Sequence, residues 1–113
     1  DDLSACIDAD VAFHQAIAET SHNVLVGHLT SSLMRVIHGH VSTNLGHLHT
    51  RRPGWNQLKA QHEAIWRAIR QRQPQEAALA AGAHIEFVRQ SIEDNALEAE
   101  RRAIALRRQG DGA

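Results

Sequence analysis

The chain has 113 residues, of which 42% are apolar and 22% are charged, and its formal charge at pH 7 is −1. This length predicts one domain with its own hydrophobic core, and the composition is neither collagen-like nor disordered. The near-zero charge removes the general attraction to phosphate backbones, so we do not expect this domain to hold DNA by itself. Nine histidines are the unusual feature of the composition.

Cysteine content and hydropathy indicate the compartment. Because Cys6 is the only cysteine, it cannot form an internal disulfide, which favours a reducing compartment. The sequence contains neither an apolar run long enough to span a membrane nor the pattern of a secretory signal. We therefore predict a cytoplasmic protein with no membrane partner. Since the chain starts at Asp1 and not at methionine, we expect it to be a piece of a longer protein.

Apolar residues repeat with a helical period along almost the whole chain, which predicts an all-α fold. The expected helices cover about residues 3–21, 24–48, 55–72 and 74–107, with residues 50–54 as the loop before the third. Asn23 suits the N-cap of the second helix, and Pro74 suits the first turn of the fourth. Gly82 predicts a kink or a close helix contact. Residues 1–108 form the predicted domain, and residues 109–113 form a disordered tail.

Ionisable side chains interrupt the apolar faces of three predicted helices. Asp10 and His14 lie one turn apart on the core-facing side of the first helix, so both can reach a common atom. His62 interrupts the apolar seam of the third helix, and His84 interrupts that of the fourth. The seam of the third helix otherwise reads Trp55, Leu58, Ile65 and Ile69, and the stripe of the second reads Leu25, Leu29, Leu33, Val36, Ile37, Val41, Leu45 and Leu48.

Two explanations account for these buried polar groups, because burial without a partner is costly. In one, Asp10 and His14 form a hydrogen bond, and the other histidines bind backbone or water. In the other, the four side chains hold a divalent metal, as facing helices of bundles do. Three imidazoles and one carboxylate do not select sharply among Zn, Ni, Mn, Fe and Co, with Zn the default. Open coordination positions would separate a ligand-binding site from a closed structural site.

The sequence contains no phosphate-binding glycine loop, no HExxH motif and no nucleophile placed beside a base, so we do not predict an enzyme. A small helical-bundle metalloenzyme and a bundle with a purely structural metal are the alternatives. Arg35 lies among core-facing residues of the second helix, where a guanidinium could bind a carboxylate through two hydrogen bonds. An arginine that reaches the surface is the simpler reading of Arg35. His40 is a candidate for the rim of a pocket.

Short motifs surround the candidate ligands in a fixed order. They read Asp10-Val-Ala-Phe13-His14, then Asn23, then Gln61-His62-Glu-Ala-Ile65-Trp-Arg-Ala-Ile69, then Glu76-Ala77, and finally Ala83-His84-Ile85. Over about residues 2–95 this set resembles the effector-binding domain of the GntR superfamily, FadR subfamily, known as the FCD domain. The segment around His40 and Asn44 is most similar to the branch that responds to lactate, pyruvate or glycolate.

The resemblance implies an antiparallel helical bundle that lacks the family's first helix or helices. It implies a metal held by Asp10, His14, His62 and His84, and a small carboxylate effector bound to that metal. We expect Arg35, from its place on the second helix, and His40 and Asn44, from the resemblance, to be effector-binding residues. It further implies a homodimer that binds operator DNA through an N-terminal winged helix-turn-helix, which is absent from this chain.

Overall fold

The computed structural model describes residues 3–112, apart from the side chains of residues 37, 38, 40 and 41. Within this part the chain forms helices and no strand. The helices are α1 (Leu3–Thr20), α2 (Val24–Thr50), α3 (Arg52–Arg70) and α4 (Pro74–Gly110). The predicted all-α class is confirmed. None of the helices in the described residues is both long enough and apolar enough to cross a membrane.

The chain divides into two compact units, Asp1–Thr50 and Arg51–Ala113. In the first unit, Gln15 of α1 bonds to Ser31 of α2, and Leu3 lies against Gly46. Residues late in α1 thus contact residues early in α2, and residues early in α1 contact residues late in α2. The two helices are therefore antiparallel. In the second unit, Arg51 bonds to Glu98 and Gln61 bonds to His84, which gives α3 and α4 the same antiparallel arrangement.

The turn between α1 and α2 is set by Asn23. Its Oδ1 accepts hydrogen bonds from the backbone N–H groups of Leu25 and Val26 at 3.0 and 3.3 Å. These are two of the donors that the first turn of a helix leaves without an intrahelical partner, so the predicted N-cap is confirmed. His22, just before the cap, has φ 54° and reverses the chain in the left-handed region.

The loop predicted at residues 50–54 is wrong, because α2 continues to Thr50 and α3 begins at Arg52. Pro53 lies in the first turn of α3, where a missing N–H costs nothing and a fixed φ suits the helix. The predicted proline in the first turn of α4, Pro74, is confirmed. At its other end α4 includes Gln109 and Gly110, two residues that the sequence places in the tail.

Helix α3 ends in a tight reversal that leads directly into α4. The backbone N–H of Gln73 bonds to the carbonyl of Ala68 at 2.9 Å, and that of Arg72 bonds to Ile69 at 3.0 Å. Arg72 takes the left-handed conformation, with φ 55°. This pair of bonds is the Schellman motif, which satisfies the last carbonyls of a helix and allows the next helix to fold back.

The core of the second unit follows the predicted seam of α3. Trp55, Leu58 and Ile65 are buried, with Leu58 only 2% exposed. The assignment of Ile69 to this seam is wrong, because its side chain is 40% exposed and Ala68 is buried in its place. The period of 3.6 residues shifts the buried face by one position over the length of the helix.

The apolar stripe of α2 is buried only near its C-terminal end. Leu45 and Leu48 are 4% and 7% exposed. The earlier members of the stripe, Leu25, Leu29, Leu33 and Val36, are between 56% and 79% exposed. Ile37 and Val41 lie outside the described side chains. Periodicity therefore identifies the apolar face of α2, but it does not identify which part of that face is covered.

One ion pair joins the start of α3 to the middle of α4. Arg51 donates to a carboxylate oxygen of Glu98 at 2.7 Å, and Arg102 donates to the other oxygen at 2.8 Å. The Arg51 hydrogen bond holds the pKa of Glu98 below its usual value. Both partners are exposed enough for water to screen the pair, so it adds little to stability.

Replacement of the Asn23 cap should weaken the α1–α2 turn. We expect Asn23→Ala to lower the free energy of unfolding by about 1 kcal/mol, because two backbone donors lose their acceptor. Asn23→Asp keeps a cap oxygen and should stay close to the parent protein. Urea unfolding followed by circular dichroism measures both variants. Equal stability of Asn23→Ala and the parent would show that the cap contributes nothing.

Gly82 is a position where the protein can be stabilised. It lies inside α4, and a Cβ added there would meet no atom within 4 Å, so the close contact expected from the sequence is not found. We expect Gly82→Ala to raise the free energy of unfolding by about 1 kcal/mol, since alanine loses less backbone entropy in a helix. A lower urea midpoint for this variant would mean that the open side of Gly82 is occupied in solution.

Candidate functional site

The first pair of candidate ligands lies on α1. Asp10 and His14 are one turn apart, and the Nε2 atom of His14 is 3.8 Å from Oδ1 of Asp10. Both side chains are mostly buried, at 13% and 23% exposure. The edge of the Phe13 ring packs near His14, with ring centroids 5.4 Å apart. At 3.8 Å these two atoms lie beyond hydrogen-bond distance but within the range of an ion pair.

The second pair joins α3 to α4. His84 is only 3% exposed, and its Nε2 atom is 3.2 Å from the Nε2 atom of His62. Its other nitrogen, Nδ1, is 2.9 Å from Oε1 of Gln61. Both nitrogens of the buried ring therefore have partners on α3, and both partners come from consecutive residues of that helix.

The His62–His84 pair has the donor chemistry and the spacing of two ligands on one ion. Zinc binds imidazole nitrogen at about 2.0–2.1 Å, which places adjacent ligand nitrogens roughly 3 to 3.4 Å apart. The observed separation of 3.2 Å falls in this range. The two imidazoles need no large movement to share a divalent ion.

Gln61 contacts the buried histidine, although the sequence analysis quoted it only as part of a motif and gave it no role. It precedes His62, but nothing in the spacing indicated that it would reach a histidine on another helix. The available signal was its place three residues after Leu58 and four before Ile65, which puts it at the edge of the buried seam. A polar residue at the edge of a seam that contains a histidine is a candidate partner for that histidine.

Arg35 lines an open groove between α1 and α2. The groove has a volume of about 560 Å³, and its lining residues are Val11, Gln15, Ser31, Met34 and Arg35. Gln15 and Ser31 hydrogen-bond across the two helices. The guanidinium of Arg35 is exposed and lies 3.5 Å from the hydroxyl of Ser32, a long contact that leaves most of its donors to solvent.

The other predicted effector residues do not join Arg35. Asn44 is 4% exposed, and it lies nine residues further along α2, on the opposite face from Arg35 because successive residues turn by about 100°. His40 lies outside the described side chains. Ser42 is seven residues from Arg35 and therefore shares its face. The hydroxyl of Ser42 is buried and makes no hydrogen bond within the described residues.

The fold and these side chains together define an all-α domain with histidine and carboxylate pairs on its helices. The FCD domain family model matches residues 1–87 of the chain, and the chain belongs to this family. FCD domains are effector-binding domains of transcription regulators, so family membership assigns the domain to regulation and not to catalysis.

The chain is similar to proteins that are named as regulators of two operons. The Glc operon transcriptional activator of Escherichia coli K12 is 34% identical over 89 residues, which is 79% of this chain and 35% of that protein. A protein of the same strain, whose name assigns it to regulation of the L-lactate dehydrogenase operon, is 33% identical over 88 residues, or 78% of this chain and 34% of that protein. The chain thus spans about a third of the length of these relatives. No solved structure gives a significant match.

Proposed function

We propose that this domain senses a small carboxylate at a divalent metal held by Asp10, His14, His62 and His84. The observation that carries the proposal is the His62–His84 pair, whose Nε2 atoms lie at the spacing of two ligands on one ion. The Asp10–His14 pair supports it, because one turn of α1 presents a carboxylate and an imidazole on the same face. His14, His62 and His84 each offer an imidazole nitrogen that could ligate a metal ion. Zinc is the proposed ion, with Ni, Mn, Fe and Co as alternatives of the same donor preference.

The proposed effector is a 2-hydroxy or 2-oxo acid. The names of the relatives, which refer to the Glc and L-lactate dehydrogenase operons, support an acid of the glycolate or lactate type. Such an acid binds a metal through its carboxylate and the neighbouring oxygen, and so fills two open coordination positions. Arg35 would bind the carboxylate. The Ser42 hydroxyl lies on the same face of α2 and makes no hydrogen bond within the described residues, and it would accept or donate one more bond. His40 and Asn44 remain in the proposed set.

In the whole protein, effector binding would change the affinity of a separate N-terminal winged helix-turn-helix for operator DNA. The regulator would act as a cytoplasmic homodimer, with residues 1–108 as its effector-binding part. The relatives support this arrangement, because their names describe operon regulation and they are more than twice as long as this chain. A ligand shifts such a regulator by binding one conformation more tightly than the other.

Metal titration tests the site. After dialysis against a chelator, the chain should bind about one equivalent of Zn or Ni, and His84→Ala should remove this binding because the buried ligand is lost. His28→Ala is the matched control, since His28 is exposed on α2 and should keep full binding. Less than about 0.2 equivalents bound by the parent chain would contradict the metal proposal. Loss of fold on chelation, with no response to carboxylates, would instead make the metal structural.

Effector binding depends on Arg35 in this proposal. In thermal-shift experiments on the metal-loaded chain, glycolate, lactate or pyruvate should raise the melting temperature. We expect Arg35→Ala to weaken carboxylate binding roughly tenfold to a hundredfold, because charge-assisted hydrogen bonds contribute about 1.5–3 kcal/mol. The metal affinity of Arg35→Ala should equal that of the parent chain. Arg35→Lys should recover only part of the loss, since lysine cannot make the paired hydrogen bonds of a guanidinium. Unchanged carboxylate affinity in Arg35→Ala would exclude Arg35 from the effector site.

A further inference from the structure

Gln61 makes a hydrogen bond to Nδ1 of His84, and the partner at that nitrogen bears on which nitrogen of the ring can bind a ligand. We propose that Gln61 is a positioning residue, which fixes the tautomer of His84 so that Nε2 is its unprotonated nitrogen, the one that a metal would bind. The inference rests on the proposed metal-binding function and deepens it, because it assigns a role to a residue that holds no ion itself.

The tautomer follows from the partner at Nδ1. Oε1 of Gln61 can only accept a hydrogen bond, and it lies 2.9 Å from Nδ1 of His84, so Nδ1 carries the proton and donates. A neutral imidazole has one ring proton, and Nε2 of His84 is therefore the acceptor nitrogen. An unprotonated ring nitrogen is the form that binds a metal.

The same reasoning assigns the contact between the two histidines. Since Nε2 of His84 accepts, Nε2 of His62 must be the donor across their 3.2 Å separation. In the metal-free chain one proton thus lies between the two nitrogens that would bind the ion. Metal binding requires only that His62 move its proton to its other nitrogen, whereas His84 is already in the ligand form.

Because His84 is buried, its hydrogen bond with Gln61 fixes the ring more firmly than the same bond would at the surface. His84 is 3% exposed, and its two nitrogens meet consecutive residues of α3, which lie about 100° apart around that helix. The ring is held from both ends by one rigid element, so it cannot rotate to offer the other nitrogen. Partners of this kind typically contribute about tenfold to a hundredfold in metal affinity.

Two variants separate the hydrogen bond from the volume of the side chain. Gln61→Leu removes the acceptor at similar size, and we expect it to weaken Zn binding about tenfold to a hundredfold. Gln61→Glu keeps an acceptor oxygen and should retain the parent affinity. Gln57→Leu is the matched control, because Gln57 is exposed one turn earlier on α3. Competition with a chromophoric chelator measures the affinities, and circular dichroism confirms that each variant is folded.

A second readout needs no metal. Long-range ¹H–¹⁵N correlation spectra of the metal-free chain report which nitrogen of His84 carries the proton. We expect Nδ1–H in the parent and in Gln61→Glu, and a mixture of tautomers in Gln61→Leu.

The outcomes distinguish the two proposals. If the parent chain binds Zn and Gln61→Leu binds equally well, or if the parent shows Nε2–H at His84, the role of Gln61 is overturned while the metal site stands. If the parent chain binds no metal, the proposed function and this inference both fail.

Discussion

A buried imidazole has to satisfy two ring nitrogens, and among the histidines whose side chains are described this requirement is greatest at His84. The ring is almost fully removed from water, in a hairpin whose other buried side chains are apolar. Leaving one polar group unpaired there would cost on the order of 1–3 kcal/mol. The register of α3 against α4 is therefore constrained by polar pairing as well as by apolar packing, since a shift of either helix would separate His84 from Gln61 and His62.

The sequence of α4 permits this pairing. The stretch before His84 is rich in alanine, and Ala77, Ala80 and Ala81 are partly buried. Small side chains let two helices approach closely, because the distance between helix axes depends on the residues at the contact. Small residues beside His84 would help its short imidazole to reach Gln61 and His62 on α3. The large side chains of the core, Trp55, Leu58 and Ile65, are supplied by α3 instead.

Much of the fold could be predicted from the sequence, and the failures have identifiable causes. Helical period located all four helices and placed His62 and His84 on buried seams, and side-chain chemistry identified the cap at Asn23. Pro53 was misplaced because a proline suits a first turn as well as a loop. The exposure of Leu29 and Val36 was not predictable, because periodicity defines a face but not what packs against it.

The candidate site was predictable only in part, for a related reason. Residue type and helical phase indicate which side chains can act as ligands, and this is local information. The contact between Gln61 and His84 depends on the register of two helices, which the sequence of neither helix contains. By contrast, local information is enough to place Arg35 and Asn44 on opposite faces of α2, because this follows from their nine-residue spacing alone.

The proposed donor set also constrains the charge of the ligand. Asp10 contributes one negative charge and neutral imidazoles contribute none, so a divalent ion held by these four side chains would keep one net positive charge. α2 carries a single charged residue besides histidine, Arg35, and it too is positive. A cationic ligand is repelled by this combination and a neutral ligand has no net charge for it to attract, whereas a small monoanion is attracted by both the ion and the guanidinium. A set of one carboxylate and three imidazoles therefore suits an anion sensor better than a fully carboxylate-ligated site would, because the latter would repel the ligand that it has to bind.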